Sequence, residues 1–287
     1  MRKKSEITER ELARFAGYLR REEREAATIE SYLRTARRFA AWLDGRAVTK
    51  ELAAAWKASL SEQGYRPVSV NVMLAAVNKL LACLGRQDCK VRYLRVQRRM
   101  FRKAERELTR SEYQRLLDAA QNRGDERLHM ALETLCATGI RVSELQYITV
   151  DAVRSGAAEI ALKGKIRTIL LPAKLCRRLL KYAKKRNIRT GQIFLTRGGK
   201  GLSRKFIWSE MKKLCGAANV AREKVFPHNL RGLFARTFYS VCRDVVHLAD
   251  VLGHSSIETT RIYLLSTAKE HARQLDRLNL LSSGAWA

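Results

Sequence analysis

Apolar side chains recur at the 3.6-residue spacing of a helix in four successive stretches of the N-terminal third. The longest lies between Thr28 and Asp44, where one face of the helix would be apolar throughout. The first stretch opens on Thr8-Glu9-Arg10-Glu11, a capping box that marks the start of a helix. The predicted helices run over residues 8–21, 28–44, 50–61 and 69–84. Four helices with short joints predict a small all-α bundle.

Beyond residue 106 the pattern is again mainly helical, but it includes two short β-type runs. A second capping box, Thr109-Arg110-Ser111-Glu112, marks the start of this part. Apolar runs at 158–162 and 168–171 flank the basic segment Lys163-Gly164-Lys165-Ile166-Arg167 and predict a β-hairpin. The predicted helices cover residues 111–121, 127–138, 143–148, 173–185, 203–218 and 228–242. The predicted fold class is therefore mainly α, with a small hairpin in the second domain.

The stretch between the two helical parts loses its apolar periodicity and becomes strongly basic. One interpretation is a solvated linker, which is the common role of a charge run. Because the run joins two basic domains, we favour a linker that crosses a phosphate backbone. The residues expected to contact DNA are Lys90, Arg92, Arg95, Arg98, Arg99, Arg102 and Lys103, with Lys165 and Arg167 of the hairpin. The predicted domains are residues 1–95 and 107–287, joined by a basic linker at 96–106.

The charge balance indicates the partner. The 287 residues include 57 Lys and Arg against 28 Asp and Glu, a net charge of +29. The excess is shared between the two halves, with +13 on residues 1–106 and +16 on the rest. Such a field costs self-repulsion unless a polyanion lies against it, so nucleic acid is the expected partner of both halves.

Other classes of protein are disfavoured by what the sequence lacks. No apolar run approaches the roughly 20 residues of a membrane span, and the basic start has no apolar core of a signal peptide. The six scattered cysteines form no C-x-x-C pair, which is typical of a reducing cytoplasm. The five histidines do not cluster with acidic residues, and no nucleotide-binding P-loop occurs, so neither a metal nor another cofactor is expected.

Several residues with candidate chemical roles lie near predicted helix ends. His228 and Arg231 are i, i+3 neighbours on the first turn of a helix, where unpaired N–H groups favour a phosphate. Arg141 lies in a turn between two helices, with Glu144 near enough to brace it. Taken one at a time, each is more simply interpreted as a surface charge or a capping residue.

The C-terminal stretch VLGHSSIETTRIYLL places His254 nine residues before Tyr263. On one continuous helix their Cα atoms would lie about 13 Å apart along the axis, too far for both side chains to reach one small group. Ser255-Ser256-Ile257-Glu258 is itself a capping box. We therefore predict that the helix restarts after His254 and that Tyr263 lies about two turns into the new helix.

Taken together, these motifs resemble those of the tyrosine recombinases, the family of phage integrases and Xer proteins. The resemblance rests on ATGIRVSEL around Arg141, the lysine hairpin, HNLR at 228–231, LGHSS at 252–256 and the tyrosine nine residues after the histidine. It implies a two-domain DNA clamp, with an N-terminal four-helix core-binding domain and a tyrosine-recombinase catalytic domain. It also implies that duplex DNA is cut and rejoined through a 3′-phosphotyrosyl intermediate, without metal or ATP.

The resemblance assigns a role to each candidate residue. Tyr263 would attack the scissile phosphate, and His228 would take its proton. The other expected catalytic residues are Arg141 and Arg231, which would hold the non-bridging oxygens, His254, which would add a hydrogen bond, and Lys163, which would protonate the leaving 5′ oxygen. The hairpin is one residue shorter than the usual family pattern, so Lys165 remains an alternative to Lys163. Gly232 stands where the family commonly has a histidine.

Two alternatives share part of this pattern: a type IB topoisomerase, which relaxes supercoils with similar residues, and a non-catalytic DNA-binding protein of the same fold. The apolar spacing in residues 266–281 predicts a helical tail that packs on a neighbouring protomer and gives a homotetramer on two DNA sites. The tail and the core-binding domain favour the recombinase. The sequence leaves open the DNA target, and whether the task is integration and excision or the resolution of replicon dimers.

Overall fold

The computed structural model describes residues 6–97, 104–162, 165–196, 198–265 and 268–278. The chain divides into two compact units, Met1–Arg98 and Arg99–Ala287. Each is mainly helical, and a single hairpin is present in the described part of the second unit, which confirms the predicted fold class. Five residues expected to contact or act on DNA lie outside the described ranges: Arg98, Arg99, Arg102, Lys103 and Lys163.

The first unit is a bundle of four helices around an aromatic and aliphatic core. Its helices are α1 (Glu9–Arg21), α2 (Ala26–Leu43), α3 (Lys50–Glu62) and α4 (Pro67–Cys83). The capping box predicted at Thr8 is present, with Glu11 as its acidic member. Phe39 and Trp56 pack at the centre, with ring centroids 5.0 Å apart. The four predicted helices are confirmed.

The extended segment that follows α4 is held against that helix by two asparagines. The side-chain amide of Asn78 donates to the carbonyl oxygen of Val91 at 2.9 Å, and its oxygen accepts the N–H of Val91 at 3.0 Å. Asn71 binds both backbone groups of Leu94 in the same way, at 2.9 and 2.7 Å. The exposed basic side chains of this segment are those of Lys90, Arg92 and Arg95. They are therefore carried along the surface of the first unit.

The second unit is built around α6, which is buried over most of its circumference. Its helices are α5 (Arg110–Asn122), α6 (Glu126–Thr138), α7 (Val150–Ser155), α8 (Ala173–Lys185), α9 (Arg204–Lys213), α10 (Pro227–Cys242), α11 (Val245–Leu252), α12 (Ile257–Arg261) and α13 (Ala268–Asp276). Strands β1 (Ala157–Leu162) and β2 (Lys165–Leu170) pair antiparallel, with Ala157 opposite Leu170 and Leu162 opposite Lys165. α10 packs against α6, which places the start of α10 beside the turn that follows α6.

Most of the predicted elements of this unit are confirmed. The second strand begins at Lys165 rather than at residue 168, and the helices show three differences. The helix expected at 143–148 is a tight 3₁₀ helix, Val142–Tyr147, and at its start the backbone N–H of Arg141 donates to the Glu144 carboxylate. The helix expected at 203–218 ends at Lys213. The six residues of α7 are too few to show a helical period, and no pattern predicts them. No described helix is both long and apolar enough to cross a membrane.

Candidate active site

Arg141 follows the end of α6 and is held by a buried carboxylate. Glu144, which is 1% exposed, accepts the backbone N–H of Arg141 at 2.7 Å and its Nη1 at 3.0 Å. These two bonds fix the backbone and the guanidinium of Arg141 together, while nearly half of the side chain stays open to solvent. A guanidinium keeps its charge at neutral pH and has N–H groups left for a second anion. The expected brace between the two residues is confirmed.

Arg231, on the first turns of α10, is buried at the centre of the site. It donates from Nη1 to the carbonyl oxygen of Gly139 at 2.6 Å and from Nη2 to that of Leu252 at 2.7 Å. These bonds join α10 to the ends of α6 and α11. Burial lowers the pKa of Arg231 to about 10, and the charge of Arg141 adds to the effect. The side chain therefore remains charged at neutral pH.

His254 is held in one tautomer by its two neighbours. Its Nε2 lies 2.8 Å from Nη2 of Arg231, which can only donate, so Nε2 accepts. Nδ1 then carries the proton and donates to Oγ1 of Thr260 at 2.8 Å. Burial, followed by the charge of Arg231, lowers the pKa of His254 to about 4. His254 is therefore neutral at physiological pH, and its Nε2 must both leave Arg231 and gain a proton before it can donate to a phosphate oxygen.

Tyr263 lies beside two histidines. Its hydroxyl is 3.2 Å from Nε2 of His228, and its ring stacks on that of His254 with centroids 6.2 Å apart. Burial raises the pKa of the Tyr263 phenol, whereas the charges of Arg231 and Arg141 oppose that rise. Burial and the charge of Arg231 lower the pKa of His228, which favours its neutral form. The phenol and the imidazole lie within hydrogen-bond distance of each other.

The helix breaks between His254 and Tyr263, which confirms the prediction. α11 ends at Leu252, and Gly253 takes a left-handed conformation with φ +64°. α12 begins at Ile257, so the histidine lies in the joint between the two helices.

The helix after the break differs from the prediction in two details. The capping side chain is that of Ser256 rather than Ser255, and it accepts the N–H of Glu258. α12 is a single short helix that ends at Arg261, so Tyr263 lies in the turn beyond it and not within the helix. From that turn the phenol of Tyr263 reaches Nε2 of His228.

Arg167 points inward, although the sequence predicts a contact with DNA. It donates from Nη2 to the carboxylate of Glu144 at 2.6 Å and from Nη1 to the carbonyl oxygen of Val251 at 2.9 Å. Burial lowers the pKa of Arg167, and the Glu144 charge opposes that effect. Both described bonds of its guanidinium go to the protein itself.

Five of the six expected catalytic residues meet at this site: Arg141, His228, Arg231, His254 and Tyr263. The sixth, Lys163, lies outside the described residues, and its alternative Lys165 begins β2. Thr260, whose hydroxyl bonds Nδ1 of His254, is a further residue of the site, and no sequence pattern predicts it. Over the described ranges, no group of three or more His, Cys, Asp or Glu side chains could hold a metal ion.

Two family models together match most of the chain. The phage integrase family matches residues 106–270, and the N-terminal SAM-like domain of phage integrases matches residues 7–88. The tyrosine recombinase XerD of Vibrio cholerae is 29% identical over 230 residues, which are 75% of this chain and 76% of that protein. The tyrosine recombinase XerA of Pyrococcus furiosus is 28% identical over 236 residues, 79% of each protein.

Solved structures with a similar fold include complexes with DNA. The XerH site-specific recombinase bound to its difH substrate has a TM-score of 0.69 at 18% identity, and the match covers 94% of this chain and 84% of that one. A lambda integrase tetramer bound to a Holliday junction has a TM-score of 0.71 at 17% identity, with 89% and 76% covered. At these identities the likeness shows the fold.

A helical fold that brings a phenol, two imidazoles and two arginines together, in a chain that matches the phage integrase family, is that of an enzyme that breaks and rejoins DNA. The chain belongs to the phage integrase family, and it is a tyrosine-type site-specific recombinase. The same matches favour this activity over the topoisomerase and over the non-catalytic DNA-binding protein.

Proposed function

We propose that Tyr263 attacks a DNA phosphate and that His228 takes the phenolic proton. The hydrogen bond between Tyr263 Oη and His228 Nε2 carries the proposal, because a phenol whose pKa is raised by burial needs a base at neutral pH. The Oη–P bond forms as the P–O5′ bond breaks, which leaves a 3′-phosphotyrosyl link and a 5′ hydroxyl. One phosphate ester replaces another, so religation needs no external energy source.

The remaining residues stabilise the transferred phosphate and the leaving group. Arg141 and Arg231 hold the non-bridging oxygens, because fixed guanidinium groups stabilise the charge on pentavalent phosphorus without rearranging. His254 donates a further hydrogen bond to a phosphate oxygen after its Nε2 has left Arg231 and gained a proton. Lys163, or Lys165 in its place, protonates the departing 5′ oxygen. The hairpin that carries these lysines is tied to the site through Arg167, which supports this placement.

Duplex DNA is the substrate, and both units bind it. The net charge of +29 and the DNA complexes among proteins of similar fold support this. Residues 1–95 act as the core-binding domain, 96–106 as the basic linker and 107–287 as the catalytic domain. The phosphate contacts come from Lys90, Arg92, Arg95, Arg98, Arg99, Arg102, Lys103 and Lys165. Six unpaired cysteines are typical of a protein that acts in a reducing cytoplasm.

Four protomers act together on two DNA sites, joined through the C-terminal tail, residues 266–281. The described part of the tail leaves Leu275 and Leu278 more than half exposed, and such apolar side chains are suited to burial on a second copy. The lambda integrase tetramer on a Holliday junction supports this assembly. Light scattering of the DNA-bound protein should show tetramers. Monomers that still exchange strands would contradict the assembly.

Covalent trapping tests the nucleophile and does not require a known DNA site. The full chain is incubated with a randomised pool of nicked duplexes, in which cleavage releases a short 5′-hydroxyl fragment and prevents religation. Adducts that survive denaturation are isolated and sequenced, which also identifies the site. We expect adducts from the unmodified protein and none from Tyr263→Phe, which keeps the ring but lacks the hydroxyl. No adduct from the unmodified protein, or equal yields from both proteins, would contradict the proposal.

A further inference from the structure

Arg167 contacts two separate parts of the site, and none of the roles proposed above uses it. One guanidinium nitrogen binds the carboxylate of Glu144, and the other binds the carbonyl oxygen of Val251. The side chain is only 16% exposed, so little of it is open to a DNA phosphate. A guanidinium presents its donors as a rigid fork, which suits it to join two fixed acceptors.

The contact with Glu144 reaches Arg141. One carboxylate oxygen of Glu144 accepts from Arg167 and from the backbone N–H of Arg141, and the other accepts from the Arg141 guanidinium. A buried carboxylate between two guanidinium groups is compensated from both sides. If Arg167 were removed, Arg141 would be the one cation still paired with Glu144 among the described residues. Arg141 would then be drawn towards the carboxylate and away from a phosphate.

The contact with Val251 reaches His254. Val251 and Leu252 are the last residues of α11, where carbonyl oxygens have no partner within the helix. Arg167 binds the carbonyl oxygen of Val251, and Arg231 binds that of Leu252. Two arginines, the partly buried Arg167 of the hairpin and the buried Arg231 of α10, thus hold the helix end that leads into His254.

The turn at Gly253 is shaped around the Arg167 side chain. A Cβ at this position would lie 2.5 Å from Cδ of Arg167 and 2.7 Å from its Nη1. The backbone also has a positive φ there, which glycine adopts without strain. Both features mean that a residue with a side chain would force either the turn or the guanidinium to move.

Arg167 is also part of the hairpin that carries the proposed general acid. It lies in β2, opposite Ile160 of β1 and two residues after Lys165. Successive residues of a strand alternate between its faces, so positions 165 and 167 lie on the same face. A bond that fixes Arg167 therefore fixes the strand that follows Lys163 in the chain.

We propose that Arg167 is a positioning residue, which keeps the lysine hairpin in register with Arg141 and with the turn that leads to His254 and Tyr263. The inference rests on the proposed catalytic roles of Arg141 and the hairpin lysine. It assigns Arg167 a role within the protein in place of the expected contact with DNA.

Single-turnover cleavage of a nicked duplex obtained by the trapping experiment tests this role. Arg167→Ala should slow adduct formation about 10- to 100-fold, because small displacements of reacting groups have effects of this size. Removing one cation that binds a phosphate should raise the Kd about threefold at moderate salt. Because Arg167 is proposed to bind the protein instead, the Kd of Arg167→Ala for the duplex should change by less than that. Arg167→Lys should recover part of the rate, since an ammonium can bind Glu144 but cannot also span to Val251. Arg154→Ala, which removes an exposed arginine before β1, should match the unmodified protein.

A duplex with sulfur in place of the bridging 5′ oxygen separates positioning of the hairpin from a general structural defect. A thiolate leaves without a proton, so a misplaced lysine no longer limits the rate. The deficit of Arg167→Ala, and that of Arg167→Lys, should shrink severalfold on this substrate. A deficit that is the same on both substrates, or a folded Arg167→Ala protein that cleaves at the full rate, would overturn the proposal.

Amide hydrogen exchange of the DNA-free protein gives a readout that does not depend on catalysis. Arg167→Lys and Arg167→Ala should exchange faster over residues 165–170 and 251–254, and Arg154→Ala should not. Unchanged exchange in both segments would overturn the positioning role. The unmodified protein could form no adduct while both segments still exchange faster in the two Arg167 variants. In that case the proposed nucleophile is wrong, and the coupling of the two segments through Arg167 stands.

Discussion

His254 accepts a hydrogen bond from Arg231, and protonation of His254 in acid would remove that bond. A protonated His254 would offer Arg231 no lone pair and would place a second cation against it. The other ring nitrogen is already bonded to Thr260. The sequence spacing predicts that His254 lies near Tyr263, but it cannot predict the tautomer. That choice depends on Thr260, which becomes a neighbour of the ring only after α12 has formed and turned back.

We expect the second unit to lose stability as the pH falls from about 6.5 to about 4. His254 titrates near 6.5 when unfolded, and its pKa in the folded protein is about 4. Within that window the unfolded chain binds a proton that the folded chain does not, so acid favours unfolding. His228, whose pKa burial also lowers, acts in the same direction. Thermal unfolding measured across this pH range tests the expectation.

His254→Gln is the matched control for this effect. Glutamine keeps an acceptor for Arg231 but does not titrate. The Tm of this variant should therefore fall less steeply with acid than that of the unmodified protein, and His228 should account for part of the remaining slope. Equal slopes for the two proteins would contradict the neutral state of His254.

Among the elements, the hairpin and the break between α11 and α12 determine the geometry of the site. Sequence patterns predict both, because alternating apolar runs indicate the strands and a nine-residue spacing excludes one continuous helix. The direction of the Arg167 side chain could not be predicted in this way. Arg167 lies in β2, but one partner of its guanidinium is the carbonyl oxygen of Val251, which lies 84 residues further along the chain. A basic side chain near a hairpin tip therefore suggests solvent and DNA, although this one binds the protein.

Gly253→Ala should cost more stability than Gly156→Ala, although both glycines have a left-handed φ, +64° and +76°. At Gly156 a Cβ would meet nothing within 4 Å, so that variant measures backbone strain alone, roughly 1 kcal/mol. At Gly253 the same strain is joined by overlap with Arg167. We expect an additional cost of about 1 kcal/mol or more, as for other forced overlaps in a packed site. Urea unfolding of the full chain measures both.

The additional cost at Gly253 should disappear when Arg167 is removed. In the Arg167→Ala background, Gly253→Ala and Gly156→Ala should have similar effects, because neighbouring changes that share one contact are not additive. Equal losses for the two glycine variants in the presence of Arg167 would show that the arginine does not confine the turn.

At the scale of the whole molecule, the basic charge is divided between two units that each have their own core. The structure separates the units at Arg98, inside the predicted basic linker. The charge run marks this region in the sequence. The sequence does not show that residues 90–95 are bound to α4. The binding depends on two asparagine side chains that pair with a distant backbone, and such pairs produce no periodic pattern in the sequence.

The salt dependence of DNA binding should report the basic side chains on this bound segment. Replacing Lys90, Arg92 and Arg95 with alanine should reduce the slope of log K against log salt by about 3, since each phosphate contact contributes roughly 0.9. Any duplex serves for this measurement, because phosphate contacts carry no sequence information.

A variant with the same loss of charge provides the control for the salt measurement. The triple alanine variant at Lys174, Lys181 and Lys184 removes three exposed lysines from α8. We expect a smaller change in slope from this variant. If the two triple variants change the slope equally, the segment after α4 makes no special contact with the phosphates.

The two asparagines on α4, Asn71 and Asn78, also fix which residues of the following segment lie against the helix. Asn71 and Asn78 are seven residues apart on a helix, about 10.5 Å along its axis, and the residues they bind, Val91 and Leu94, are three apart in extended chain, about 10 Å. The two lengths agree when Asn78 binds Val91 and Asn71 binds Leu94. An insertion between Val91 and Leu94 would therefore leave one asparagine without the backbone groups that it binds. An insertion beyond Val96 would disturb neither. The linker between the two units can therefore change in length during evolution, while the segment before it stays bound to α4.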